Sequence, residues 1–159
     1  MDEPKTELLR HTLATLAYRG GKAVRGVPPE VATFRAGPET RTPLEILAHV
    51  NDLLDWALTI AEGVPRFEET VGENWALEVA RFHRGLAVLD ERLAAERALG
   101  RPAEKILQGP IADALHHVGQ IALLRRLGGA PQRGENFYVA EIVTGRTGAE
   151  QAPPRREFD

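Results

Sequence analysis

Asp113, His116 and His117 stand close together in the stretch IADALHHVGQI, residues 111–121, with apolar residues on both sides. On an α-helix, residues four apart project from one face about a turn from each other, so Asp113 and His117 form a natural pair. His116, three residues after Asp113, reaches toward the same carboxylate. Ala114, Ile121 and Leu124 share the face of Asp113 and His117. A carboxylate buried there without a partner would cost several kcal/mol, so it must meet a donor, a cation or a metal ion. Two neutral imidazoles and a carboxylate suit Zn, Ni, Fe or Mn. A hydrogen-bonded Asp113–His117 pair with a purely structural role is the simpler alternative. Spacing alone chooses neither between these readings nor between the two histidines.

A further imidazole comes from a distant segment. In RTPLEILAHVNDLLDWALTIAEGVP, the apolar residues Ile46, Leu53, Trp56, Ala57 and Ile60 recur at helical spacing, and His49 falls within their stripe. A helix bundle can turn such a residue toward ligands on another helix. Gln120, one turn beyond His117, is placed either to support a ligand by a hydrogen bond or to satisfy a neighbouring backbone group. Gly119 is expected to let another helix approach closely. His11 and His83 lack a carboxylate at ligand spacing and read as surface or boundary residues.

These residues need four helices to position them. Thr42, Pro43 and Glu45 make a capping box with proline at the first helical position, and Gly63 and Pro65 stop the helix, which predicts a span of 43–62. Asn74 caps a second strong helix, predicted over 75–98, before Gly100 and Pro102. A third is predicted over 103–127, with Arg125 and Arg126 at the negative end of its dipole and Gly128, Gly129 and Pro131 beyond. The first, over 5–24, carries Gly20 and Gly21 inside it, a place to kink. Residues 26–41 form a long connection and 130–145 an ordered extension. The pattern predicts an all-α four-helix bundle as a single domain over 1–145, with 146–159 a flexible C-terminal tail.

Composition narrows the chemistry. The 159 residues contain no cysteine, which removes disulfides, thiolate metal sites and cysteine nucleophiles. With 23 acidic and 20 basic residues scattered along the chain, neither a nucleic-acid footprint nor a basic membrane patch stands out. The start, MDEPKTELLRHT, is acidic where a signal peptide would be basic and then apolar, and no apolar run is long enough to span a bilayer. The expectation is a cytoplasmic protein without nucleic-acid or membrane partners.

The two segments TPLEILAHVNDLLDWAL and HVGQIALLRRLGGAP, the latter led by Asp113, resemble the DinB/YfiT-like family of four-helix-bundle proteins. Its usual signatures are a histidine late in "ilaH" on the second helix and "H-x-x-x-H-x-G-Q" on the fourth, and the likeness extends over about residues 5–145. The resemblance implies a metal triad of His49, Asp113 and His117, with Gln120 and His116 as supporting neighbours. Asp113 departs from the pattern, which has histidine there, and turns a three-histidine site into a two-histidine, one-carboxylate site that accepts harder cations. It further implies a metal-dependent enzyme, a hydrolase or an S-transferase using a low-molecular-weight thiol such as bacillithiol or mycothiol, working as a homodimer on a small-molecule substrate. A noncatalytic, stress-associated bundle that binds a metal or small ligand is the competing expectation.

Overall fold

Thr42 accepts a hydrogen bond from the Glu45 amide while the Glu45 carboxylate accepts one from the Thr42 amide, so the capping box forms and helix α3 starts where its sequence predicts, running Pro43–Ala61. The computed structural model describes residues 3–159. The other long helices are α1, Glu3–Val24; α4, Trp75–Ala94, capped by Asn74; and α6, Ala112–Leu127. Two single-turn helices, α2 (Pro29–Ala32) and α5 (Ala103–Ile106), lie in the connections. The strands β1 (Gly134–Glu135) and β2 (Glu157–Phe158) make one small antiparallel pair, so the fold is all-α in class.

The long helices pack side by side around one core: α1 and α3 each lie against both α4 and α6. Leu13, Leu16, Leu47, Leu54, Phe82 and Ile121 are among its fully buried side chains. The stripe on α3 is buried as its period requires, with Ile46, Leu53, Ala57 and Ile60 in the core and Trp56 at its edge. Among the described residues no helix is long and apolar enough to cross a membrane.

Three departures from the local pattern have physical causes. Helix α4 ends at Ala94, short of residue 98, because Arg92 draws the next segment back on itself. Its guanidinium donates to the carbonyls of Ala61, Arg97 and Ala98 and pairs with Glu62, while the Gly100 amide donates to the Ala61 carbonyl at 2.8 Å. Secondly, the helical run 103–127 is interrupted by a π-helical turn, Leu107–Ile111, that contains Pro110. Proline lacks the amide an α-helix needs, and the wider turn accommodates it without ending the run. Thirdly, α1 is assigned as one helix through Gly20 and Gly21, and Gly20 has a packing role: a Cβ there would lie 2.5 Å from Phe82 Cζ.

The segment after α6 returns along α1. Tyr18 donates to Glu135 Oε1 at 2.6 Å and Lys22 to Glu135 Oε2 at 2.7 Å, so a fully buried carboxylate is doubly satisfied. Burial and the Glu135 carboxylate together hold the Tyr18 phenol well above its usual range. Residues 146–159 include β2, which pairs with β1, and the Thr147 carbonyl accepts from His83 Nδ1. His11 Nδ1 meets Thr144 Oγ1 at 3.1 Å. Both histidines therefore hold the C-terminal segment against α1 and α4. Arg125 ties the end of its own helix to the end of α1: its Nε donates to the Ala130 carbonyl just beyond α6, and its Nη1 to the carbonyls of Lys22, Ala23 and Arg25.

Candidate metal centre

His49 is the seventh residue of α3, while Asp113 and His117 are the second and sixth of α6, so the site forms where these two helices pack. One ligand atom from each residue lies within 4.8 Å of the others, and this is the group of potential metal ligands found among the described residues. Asp113 Oδ1 is 3.5 Å from His117 Nε2, and Asp113 Oδ2 is 3.7 Å from His49 Nε2. The two imidazole rings stand edge to face with centroids 4.8 Å apart.

Both distances exceed those of direct hydrogen bonds. A direct hydrogen bond from imidazole to carboxylate would close to about 2.7–2.9 Å, and neither contact does. Donors held about 2.0–2.2 Å from one tetrahedral ion lie roughly 3.3–3.6 Å from each other; the two contacts, made by different oxygens of Asp113, lie close to that range, while one atom taken from each residue gives separations of up to 4.8 Å. Gln120 Oε1 lies 2.6 Å from His117 Nδ1, and because a carbonyl oxygen only accepts, the proton belongs on Nδ1. In the neutral imidazole, Nε2 then faces Asp113 with a lone pair. The remaining amide of Gln120 donates to His116 Nε2 at 3.3 Å. His116 thus sits on the outer side of Gln120 and His117 on the inner side, which resolves the adjacent pair geometrically.

His49 is prepared differently. Its side chain is 18% exposed, and its Nδ1 is buried with no hydrogen-bond partner. Burial, then the neighbouring His117 and Arg41, lower its pKa below the usual imidazole value against the opposing pull of Asp113 and Asp52, so the neutral, ligating form is favoured. Phe67 packs its ring against His49 at 6.0 Å and against Trp56 at 5.8 Å. Phe67 belongs to the connection between α3 and α4, which is tied down nearby. Asp52, whose side chain has no exposure, accepts from the Thr70 amide and hydroxyl and from Arg81. Arg81 also pairs with Asp55 at 2.6 Å.

Open space adjoins the triad on two sides. A cavity of about 230 Å³ includes Arg41, Glu45, His49, Asp52 and Glu69 in its lining, and a groove of about 410 Å³ includes Arg41, Ile46, His117, Gln120, Leu123 and Leu127. A larger cavity of about 560 Å³, near Lys5, Leu93 and Arg101, includes none of the three ligands. Asp113 remains 47% exposed, so the carboxylate is half solvated instead of buried in the core. Gly119 also differs from expectation: a Cβ there would meet nothing within 4 Å, so no helix approaches it.

The donor set fits a divalent transition metal. Two imidazoles and one carboxylate converge, and one imidazole is oriented by a hydrogen bond on its far nitrogen. The spacing in ADALHHVGQ and the position of His49 in its stripe point to these residues, whereas Arg41 and Phe67 lie in irregular segments where no periodicity marks them. The chain matches no family model, no curated protein and no solved structure.

Proposed function

We propose that this chain is a metal-dependent enzyme of the DinB/YfiT-like kind, with His49, Asp113 and His117 as the ligands and a low-molecular-weight-thiol S-transfer, or the related hydrolysis, as its reaction. The observation that carries the proposal is the convergence of three potential ligand side chains beside accessible space. A divalent transition metal in such an open shell supplies Lewis-acid activation, lowering the pKa of a coordinated water or thiol. His49, favoured in its neutral form by burial, and His117, oriented by Gln120, supply the imidazole ligands. Asp113 supplies the negative charge, and its exposed side leaves an approach for a substrate. Phe67 lies edge-on to the His49 ring and Trp56 backs Phe67.

A noncatalytic metal- or ligand-binding role is the second reading. The commitment of Glu45 to its capping box and of Asp52 to Thr70 and Arg81 favours it, since both are carboxylates beside the site already engaged in holding structure. Glu69 is the remaining carboxylate in that cavity lining and the candidate proton acceptor.

The test compares wild type with His117→Ala, both purified without immobilised nickel. Metal content, thermal unfolding and turnover with bacillithiol or mycothiol as co-substrate are measured on the same preparations. The helices are capped and the core is apolar, so His117→Ala is expected to stay folded while losing metal and turnover. Equal turnover by the metal-free variant would reject metal catalysis, and metal binding without any thiol or hydrolytic turnover in wild type would move the conclusion to the second reading.

A further inference from the structure

We propose that Arg41 is the specificity-determining residue of this site, binding the carboxylate of a substrate whose apolar body lies in the groove between α3 and α6. The proposal rests on the metal reading of the triad and adds to it the class of molecule admitted. Arg41 lines both spaces that flank the ligands, and it makes no hydrogen bond or ion pair with another described residue. Its neighbours differ: Arg35 pairs with Glu45, and Arg81 with Asp52 and Asp55. The backbone beneath Arg41 is nevertheless fixed, because the next residue is the capping Thr42. An arginine held at its base and free at its guanidinium presents a planar fork suited to a carboxylate.

The groove side is the side that accepts the anion. Its lining combines Arg41 with Ile46, Leu123, Leu124 and Leu127 and includes no acidic residue, whereas Glu45, Asp52 and Glu69 line the smaller cavity. Leu123 and Leu127 are 56% and 57% exposed, leaving apolar surface next to the ligands for an apolar body to cover. Charge points the same way. Asp113 offsets only part of a divalent ion's charge, so the ion and Arg41 together leave a positive field that an anionic ligand on the groove side would neutralise. Gln120, at the groove's edge, faces His117 and leaves Arg41 as the cation available for the head group.

The experiment titrates the zinc-loaded full chain with octanoate and with octanol by calorimetry, in wild type, Arg41→Gln and Arg41→Lys, with zinc stoichiometry measured on each preparation. Octanoate is expected to bind at least about ten-fold more tightly than octanol, the size of one charge-assisted contact. Arg41→Gln should remove that preference while leaving octanol affinity unchanged once each preparation is fully loaded with zinc, and Arg41→Lys should restore part of it. Equal binding of the two probes by wild type, no octanoate binding at millimolar concentration, or an unaltered preference in Arg41→Gln would each overturn the assignment. A wild type that takes up no zinc would sink the metal reading separately, because the Arg41 comparison is then made on the metal-free chain with the same two outcomes.

Discussion

Replacing Gln120 with leucine tests the site more sharply than removing a ligand, because it leaves every proposed metal donor in place. The substitution deletes the acceptor that lies 2.6 Å from His117 Nδ1. The imidazole then loses the partner that fixes its tautomer and ring angle, and its Nε2 is no longer held as the unprotonated nitrogen facing Asp113. Loss of such a supporting hydrogen bond lowers metal affinity by about 10–100-fold, equivalent to about 1.4–2.7 kcal/mol. His117 is 13% exposed, so water replaces part of the lost bond, and the lower end, about ten-fold, is expected. Competition of the purified variant against a chromophoric zinc chelator at pH 7.4 reads this directly, with circular dichroism confirming unchanged helix content. Two controls bracket the result. Gln120→Glu keeps an acceptor oxygen and should bind zinc at least as tightly as wild type. His116→Ala removes only the outer partner of the amide, 3.3 Å away, and should stay within about three-fold of wild type. If Gln120→Leu binds zinc as wild type does, or if His116→Ala is the variant that loses it, the assignment of His117 as the inner ligand is wrong.

The two glycines on the neighbouring helices α1 and α6 should respond oppositely to alanine. Gly119→Ala, with open space around its missing Cβ, should stabilise the fold by about 0.5–1 kcal/mol and raise Tm by roughly 1–4 °C. Gly20→Ala forces Phe82 out of its place and should destabilise by about 1–3 kcal/mol; thermal unfolding that ranks the two variants the other way would contradict the packing described. A third expectation concerns acid. Burial, the dominant cause, lowers the His83 pKa against the opposing Thr147 hydrogen bond, so the unfolded chain takes up this proton at a higher pH than the folded one. The stability from keeping His83 neutral is full above about pH 6.5 and is lost as pH falls through the folded pKa. His83→Gln should therefore flatten the fall in urea midpoint between pH 7 and pH 5, and an unchanged slope would refute the linkage.

Helix α3 shows how much can be read from local chemistry. Thr42, Pro43 and Glu45 specify its start through contacts no more than three residues apart, and the 3.6-residue period of its apolar side chains specifies the face that is buried. His49, Asp113 and the adjacent pair His116 and His117 were legible as candidates for the same reason: ligating side chains at helical spacing among apolar residues are visible without knowing where the helices go, although spacing does not choose between the two histidines. Their convergence is another matter. It depends on α3 packing against α6 and on the π-helical turn at Leu107–Ile111, since one extra residue in a turn rotates everything after it by about 100° around the helix axis. Arg41 and Phe67 reach the site from connections that have no period to read. The end of α4 follows from Arg92 binding carbonyls on other segments, and the different roles of Gly20 and Gly119 follow from what stands opposite each. Local hydrogen bonding and hydrophobic period were therefore determined by the sequence alone. Which imidazole faces the carboxylate, which arginine stays unpaired and which glycine must stay small were decided only when distant segments packed, because each depends on atoms contributed by another part of the chain.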